Sequence, residues 1–454
     1  MLIRFSVGNY RSFNEQQVFS MAAGKQSRHS NHVIRFDDKR ILKTSVLFGP
    51  NASGKSNLVK AVEFAKNIAV LGLNETVIAK NNFRIDNVSI DKPCVLQFDF
   101  ISNNKIYNYG FAFSFKTASF ISEWLYRIES KETCVFEREV GKTLHTDLKF
   151  SDDNKTRLSI YSEDLADNKS LLSEITDHKL QQETDFADFY NVLDWFGKLI
   201  IIFPTSKYSR MEKIMMKDSL IKIGEYLNRF DTGVEGLKDD VKPCDEMFNE
   251  LNEDVRTVII SNAKKFLDEG QKNRTYNFGI GENRFCVTKE NDTLMASKVL
   301  FNHGNEDALF DFEDESDGTK RLFDLIPLLS IKNESYVILI DEIDRSFHTK
   351  ITKEFIKAFL GKSECNNSQI IVTTHDLNLM DLELLRQDEI WFVERGVDHS
   401  SKMYSLSKFQ ARFDKAVAKD YLLGRFGSLP FVSINAVYDD VEEGDGVELI
   451  SSTI

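Results

Sequence analysis

Apolar positions divide the chain into strand-like and helix-like stretches. Alternation over residues 2–7 predicts a strand, which we expect at the edge of a sheet. A continuous apolar run at 44–48 predicts a buried strand, and apolar residues spaced three and four apart predict a helix over 55–71. Between 95 and 150 the period returns to two, which indicates an antiparallel meander.

The second half of the chain begins with a different pattern. Residues 168–270 follow a mostly helical period, clearest over 211–230 and 245–267, without the sustained heptads of a long coiled coil. A later helix is predicted to begin at Lys320. Further strands are predicted near 276–288, 307–312, 336–340, 369–373 and 389–393.

A glycine-rich loop joins the predicted strand at 44–48 to the helix after it. Residues 49–56 read Gly-Pro-Asn-Ala-Ser-Gly-Lys-Ser, the complete P-loop pattern in its strand–loop–helix context, which makes a chance match in an ordinary turn the weaker interpretation. Backbone N–H groups of such a loop surround phosphate oxygens, Lys55 would reach the β- and γ-phosphates, and Ser56 would bind Mg²⁺. The loop therefore predicts ATP and Mg²⁺ as ligands, held by Gly49, Asn51, Gly54, Lys55, Ser56 and Asn57.

Two acidic residues end the apolar stretch at 336–340. A buried strand needs no acid pair at its end, so the pair points to chemistry. Asp341 would hold Mg²⁺ through water, and Glu342 would orient or deprotonate an attacking water molecule. The alternative is that the acids cap the next helix. The pair predicts an ATPase.

More than half of the chain separates Ser56 from Asp341. Compact P-loop folds place the two motifs closer together. A gap filled by a β meander and a helical block is the order of an ABC-type head, so we expect an α/β fold: an ABC-type P-loop ATPase head with an antiparallel β subdomain, a helical insertion and no long coiled coil. The expected parts are an N-terminal lobe at 1–167, the insertion at 168–270 and a C-terminal lobe at 271–454.

ABC-type heads carry a signature loop before the acid pair, and residues 315–319 fit that position. Ser316 and Gly318 would donate to the γ-phosphate held by an opposite subunit. A simple polar helix cap is the alternative. The loop predicts that ATP is sandwiched between two paired heads.

Four further residues are candidates for the same site. Asp344 follows the acid pair, where such heads carry a dimer-contact loop. His375 ends the next buried strand and could donate to the γ-phosphate, although a lone histidine is usually structural. Arg11 is a candidate nucleotide contact or an ordinary surface arginine, and Gln97 is the candidate Q-loop ligand of the metal.

Charge and composition narrow the classes of partner. A net charge of −13 argues against a surface covered by nucleic acid, although a local basic patch stays possible. The apolar runs are too short to cross a membrane, and five scattered cysteines fit reduced thiols in the cytoplasm. Residues 426–454 contain six acidic residues and no Lys or Arg, which predicts a solvated tail or, alternatively, a docking segment for a basic partner.

The chain resembles the prokaryotic AAA/ABC-like ATPases of the abortive-infection group, which includes RloA-like proteins and the ATPase subunit of PARIS-type phage-defence systems, with relation to OLD and RecF-like heads. The residues that carry this resemblance are 4–13, 49–56, 122–126, 230–233, 315–319, 336–342 and 421–428.

The resemblance implies an ATPase that assembles into a dimer or larger ring, responds to a phage trigger and controls a separately encoded effector, often a Toprim-type nuclease. After the last predicted core strand, too little chain remains for a Toprim domain with its acidic metal cluster. We therefore expect any nuclease chemistry to come from a partner.

Two other functions stay open at this point. A RecF-like repair ATPase would clamp DNA, and strong salt-dependent DNA binding would favour it. A nucleotide-gated scaffold would bind ATP with hardly any turnover, and the presence of Glu342 argues against complete inactivity.

Overall fold

The structure is a computed structural model that describes residues 1–73, 80–178, 184–206, 217–269, 275–330, 334–361, 367–409 and 417–427. Predictions for 211–216, for Ser428 and for most of the acidic tail lie outside these residues. The described strands, in chain order, are β1 (Leu2–Gly8), β2 (Gln17–Ser20), β3 (Val33–Phe36), β4 (Lys39–Leu42), β5 (Thr44–Phe48), β6 (Cys94–Ser102), β7 (Lys105–Ser114), β8 (Ser119–Ile128), β9 (Glu132–Glu139), β10 (Leu199–Ile202), β11 (Gly236–Pro243), β12 (Tyr276–Ile280), β13 (Asn283–Glu290), β14 (Thr293–Asn302), β15 (Leu309–Phe310), β16 (Val337–Ile340), β17 (Gln369–Thr373), β18 (Ile390–Arg395) and β19 (Ser401–Ser405).

The α-helices lie between and around these strands. In chain order the described helices are α1 (Lys55–Leu71), α2 (Asp152–Glu163), α3 (Leu171–Asp177), α4 (Ala187–Gly197), α5 (Lys217–Arg229), α6 (Cys244–Met247), α7 (Glu253–Asp268), α8 (Asp317–Leu325), α9 (Thr349–Leu360) and α10 (Val417–Leu422). Within the part of the chain that the structure describes, none of them has both the length and the apolar composition needed to span a bilayer.

A central sheet has the strand order β10-β16-β17-β5-β18-β19, with all neighbours parallel except the last pair. Its middle strands are buried on both faces, as continuous apolar runs predict. Leu47, Leu339 and Ile371 point into the core that contains α1, whereas Val46 and Ile338 point into the core that contains α8 and α9. The carboxyl ends of β5, β16 and β17 therefore meet at one edge of the sheet.

A second, antiparallel sheet has the order β2-β1-β6-β7-β8-β9 and packs over the outer side of α1. The ring of Phe64 on α1 lies 5.0 Å from Tyr10 and 5.9 Å from Phe113, measured between centroids, so the helix is enclosed between the two sheets. The meander predicted over 95–150 is present as β6–β9. The prediction of an edge strand at 2–7 is wrong, because β2 pairs with the other side of β1.

The described part of segment 168–270 is mostly helical, as predicted, but it also contains two strands that the pattern did not predict. It contains β10, which is an edge strand of the central sheet, and β11, which belongs to a third sheet of order β11-β14-β13-β12. The sequence pattern did not identify the apolar run of β10 as a strand, because helices flank it on both sides. The boundaries of the three predicted parts stay a prediction, and no sustained coiled coil is present among the described helices.

Candidate functional site

The loop between β5 and α1 is packed so closely that two of its glycines have no room for a side chain. A Cβ atom on Gly49 would lie 2.2 Å from the carbonyl oxygen of Val393. Gly54 has φ +113°, and its Cβ would lie 2.1 Å from the Oγ of Ser401. Both positions therefore require glycine, for space at the first and for space and backbone conformation at the second. Strands β18 and β19 thus support the loop from behind.

Lys55 is the first residue of α1 and is 4% exposed. Its Nζ donates to the carbonyl oxygens of Gly49 at 2.6 Å and Pro50 at 3.1 Å. Burial lowers the pKa of Lys55 to about 8, although the carboxylates of Asp341, Asp344 and Glu342 favour its charged form. The ammonium group is thus held at the mouth of the loop, where a phosphate would be paired with it.

Ser56 and Asp341 are in direct contact, which joins the two motifs predicted from distant parts of the chain. The Ser56 hydroxyl donates to Oδ1 of Asp341 at 3.1 Å. Asp341 follows β16 and is buried, and its backbone N–H donates to the carbonyl oxygen of Ile202 at the end of β10. A hydroxyl and a carboxylate side by side provide the oxygen ligands that Mg²⁺ prefers.

Glu342 has an unusual backbone conformation for a glutamate, with φ 50°. A non-glycine residue in the left-handed region is strained, and such strain is common at functional sites. Its N–H donates to the Thr373 hydroxyl at 2.8 Å, whereas its carboxylate has no hydrogen-bond partner among the described residues. The next helix, α9, is capped by His348, so neither acid of the pair serves as that cap.

His375 lies just beyond β17, beside the mouth of the loop. Its Nδ1 is 3.4 Å from Nζ of Lys55, and its backbone N–H donates to Oδ2 of Asp344 at 3.3 Å. Burial and the charge of Lys55 lower the pKa of His375, so the ring is neutral at pH 7. If Lys55 donates to Nδ1, the ring proton is on Nε2 and is available for another acceptor. Oδ1 of Asp344 is buried and has no hydrogen-bond partner in the described segments.

The predicted signature loop caps α8, which begins at Asp317 rather than at the predicted Lys320. The Ser316 hydroxyl accepts the N–H of Thr319 at 3.2 Å, so Ser316 is the N-cap of α8. Gly318 lies against the loop after the acid pair, because a Cβ there would be 3.0 Å from the carbonyl oxygen of Ser346. Among the described residues, no hydrogen bond joins this loop to residues 49–57 of the same chain.

Arg11 lies close to the P-loop, in a cavity of about 330 Å³ that Ala52 and Asn57 also line. The remaining lining residues are Ser12, Lys80, Asn82, Phe83, Arg84, Ile85, Arg395 and His399. Asn57 is tied to this side by a hydrogen bond from its Nδ2 to Ser12 Oγ at 2.8 Å, and Asn51 is exposed at the tip of the loop. Among the described residues, the charged side chains that line the cavity are cations and none is an acid, which suits an anionic ligand.

Gln97 is not brought to this site by any contact. It lies inside β6, paired in register with Ser6 and Gly110, and in the described chain its side chain makes no hydrogen bond to Ser56 or Asp341. The strand beside the acid pair is instead β10, whose carboxyl end leads into residues 203–206. The role of Gln97 as a metal ligand stays a prediction without contact support.

Two residues that the sequence patterns did not single out belong to the site. Thr373 joins Asp341 to the backbone of Glu342 through its hydroxyl. Arg321 on α8 is 7% exposed and donates to the carbonyl oxygen of Phe203, the residue that follows Ile202 at the end of β10. The only sign of Thr373 in the sequence was a polar residue at the end of a predicted buried strand. That strand, β17, pairs with β16, which the acid pair follows.

The donor set fits ATP and Mg²⁺. The glycines leave a cradle that a side chain would fill, Lys55 supplies a buried cation, and Ser56 with Asp341 supplies oxygen ligands. The free carboxylate of Glu342 adds a group that can accept a proton from water. Such an arrangement can bind a nucleoside triphosphate and activate water beside its terminal phosphate.

Comparison with known protein families identifies one family that matches most of the chain. The family model described as "AAA domain, putative AbiEii toxin, Type IV TA system" matches residues 45–381. No curated protein matches the chain. Among solved structures, the SMC head bound to the C-winged helix domain of ScpA is 14% identical, with a TM-score of 0.39 over 89% of this chain and 97% of that one. The SMC head domain from Thermotoga maritima is 13% identical, with a TM-score of 0.33 over 89% and 98%.

Proposed function

The chain belongs to this family of AAA domains, and on that premise we propose that it binds ATP with Mg²⁺ and hydrolyses it to ADP and phosphate. The observation that carries the proposal is the 3.1 Å hydrogen bond between Ser56 of the P-loop and Asp341 at the end of β16. It brings together the two groups that a Mg²⁺–ATP site needs, from strands that are not neighbours in the central sheet.

Each residue has a separate task in this proposal. Lys55 leaves the carbonyl oxygens of Gly49 and Pro50 and pairs with phosphate oxygens, which favours its charged form. Ser56 and Asp341 hold the metal, which when bound neutralises charge on the phosphates. Glu342 orients the attacking water and accepts its proton, and His375 donates from Nε2 to the terminal phosphate.

We extend the proposal to pairing of two copies of the chain. In a single chain, Ser316 caps α8 and Gly318 packs near Ser346, so this loop is not bonded to the P-loop of its own chain. A second copy related by a twofold axis would place its loop over the first copy's phosphate site, and the reverse contact would follow from symmetry. Asp344, with one unpaired buried oxygen, would lie near that interface.

The pairing is tested by measuring turnover per chain across a range of protein concentrations, with the mass of the particle measured with and without ATP. The proposal expects the rate per chain to rise with concentration and a dimer or larger particle to form with ATP. A constant rate from a species that stays monomeric would overturn the pairing while leaving hydrolysis in place.

The biological role that we propose is control of a separately encoded effector in an anti-phage, abortive-infection system. The family's description names AbiEii and a toxin–antitoxin system, and the motifs at 4–13 and 315–319 resemble the abortive-infection ATPases. The predicted insertion at 168–270 is the proposed place for contacts with the effector or between subunits. ATP would close the head pair, and a phage signal would change that state.

Purification of the tagged protein from its host, with identification of co-purified chains and the mass of the intact complex, tests this role. A stoichiometric nuclease or other toxin on a multimeric ATPase is the expected result. A dimer that carries DNA and no protein partner would overturn the defence role and favour a DNA-clamping repair ATPase.

A further inference from the structure

Arg321 is a buried cation with unused hydrogen-bond donors. It lies on α8, is 7% exposed, and donates from Nη1 to the carbonyl oxygen of Phe203 at 3.3 Å. Within the part of the chain that the structure describes, its Nε and Nη2 are buried without a hydrogen-bond partner. An arginine stays protonated even when burial lowers its pKa, so these donors remain charged, and leaving them unpaired costs free energy.

The acidic side chains around Arg321 differ in how many hydrogen bonds their carboxylates already accept. Asp324, on the same helix, is held by Arg284, whose Nη2 donates to Oδ2 at 3.0 Å. Asp341 accepts hydrogen bonds from Ser56 and Thr373. The hydrogen bond to Phe203 places the guanidinium beside the acid pair, because the preceding residue, Ile202, accepts the backbone N–H of Asp341. The carboxylate of Glu342 has no hydrogen-bond partner among the described residues. Glu342 is therefore the acid best placed to take the unused donors.

Arg321 also lies about one helical turn after the loop that α8 presents at its N-terminus. Residues four apart on a helix lie on the same face, so Arg321 and Asp317 share one face of α8. The orientation of this nine-residue helix therefore sets the position of Ser316 and Gly318 at its N-terminal end, while Arg321 is bonded to Phe203 beside the acid pair.

We propose that Arg321 is a positioning residue that pairs with Glu342 of its own chain and thereby sets the orientation of α8, so that the nucleotide site of one head controls the loop offered to its partner. This inference rests on the proposed function, because it requires ATP at Lys55 and pairing of heads through Ser316 and Gly318. Arg321 couples the two events without touching the nucleotide itself.

The test separates nucleotide binding from head pairing. We would measure the Kd of a fluorescent ATP analogue and the ATP-dependent monomer–dimer Kd for the wild type, Arg321→Gln and Arg321→Lys. Arg321→Gln should keep the analogue's Kd within about twofold and weaken ATP-dependent pairing by about tenfold or more, a common size for coupling between sites. Arg321→Lys, which retains the charge, should recover part of the pairing.

Lys320→Gln is the matched control, because the neighbouring Lys320 bonds to Glu282 on another side of α8. It should pair as the wild type does. Pairing by Arg321→Gln within twofold of the wild type would overturn the inference, and so would a parallel loss of analogue binding and thermal stability in both Arg321 variants. A wild type that neither binds the analogue nor pairs would instead overturn the proposed function.

Discussion

The Thr373 hydroxyl donates to Oδ1 of Asp341 across 2.6 Å. The hydroxyl oxygen of Thr373 also accepts the backbone N–H of Glu342 at 2.8 Å, so one side chain at the end of β17 holds both acids that follow β16. Thr373 is fully buried, which makes these contacts strong and their loss costly. We therefore treat Thr373 as the residue that orients the acid pair.

Replacement of Thr373 by valine keeps the shape and removes the hydroxyl. A buried carboxylate and a half-buried N–H would each lose a partner, so the free energy of unfolding should fall by about 2–4 kcal/mol. ATP turnover should fall as well, because Asp341 and Glu342 lose their fixed orientation. Chemical denaturation and a turnover assay measure the two effects.

Thr352→Val is the control for that substitution, because the buried Thr352 hydroxyl on α9 has no hydrogen-bond partner among the residues that the structure describes. The same isosteric change there should leave stability unchanged or slightly raised, since it removes an unsatisfied polar group. Equal losses of stability in the two variants would contradict the role given to Thr373.

The Glu342→Gln variant separates ATP binding from hydrolysis. The amide cannot accept a proton from water, so kcat should fall by about 10²–10⁴-fold. The nucleotide contacts remain, so the Kd for ATP should stay within about threefold, and dimers should accumulate with ATP. Glu354→Gln, at an exposed acid on α9, should match the wild type. Loss of ATP binding by Glu342→Gln would show that Glu342 has another role.

ATP affinity should depend on pH through Lys55. Its pKa of about 8 means that the side chain loses its charge above that pH and attracts phosphate less. The Kd for ATP should be steady from about pH 7 to 8 and then rise by up to about tenfold per pH unit. A Kd that stays constant to about pH 9.5 would contradict this assignment.

A second consequence of the same pKa concerns stability without nucleotide. Between about pH 8 and 10.5 the unfolded chain holds more protons at Lys55 than the folded chain does, so this residue makes folding more favourable as the pH rises through that window.

The Lys55→Arg variant is the control for the pH dependence of ATP binding. Its guanidinium keeps its charge up to about pH 12, so any ATP affinity that the variant retains should not change between about pH 8 and 10.5.

The strands and helix around the P-loop were predictable because local pattern and motif agree there. Strand β5, helix α1 and strand β17 have the predicted bounds. An apolar run that ends in a glycine-rich loop permits few alternatives, since the loop needs a strand before it and a helix after it. The contact of Ser56 with Asp341 followed from the two motifs, although more than half of the chain separates them.

Other features depend on pairings that no local pattern reveals. Strand β1 alternates as an edge strand would, and only its pairing with β2 on one side and β6 on the other places it inside a sheet. Strand β10 has four residues and lies between helical stretches, so its membership of the central sheet could not be read from its period. The unpaired donors of Arg321 depend on how α8 packs, and the position of Gln97 inside the antiparallel sheet depends on the pairing of β6 with β1 and β7.

Mixing two inactive variants tests the paired-head account most directly. Lys55→Ala removes the phosphate contact, and Ser316→Asp keeps a good helix cap while placing a negative charge where the partner's phosphate would lie. Each variant alone should be inactive, but a mixed dimer contains one intact site, so an equimolar mixture should regain about a quarter of the wild-type turnover. A mixture no more active than the average of its two components would contradict the account.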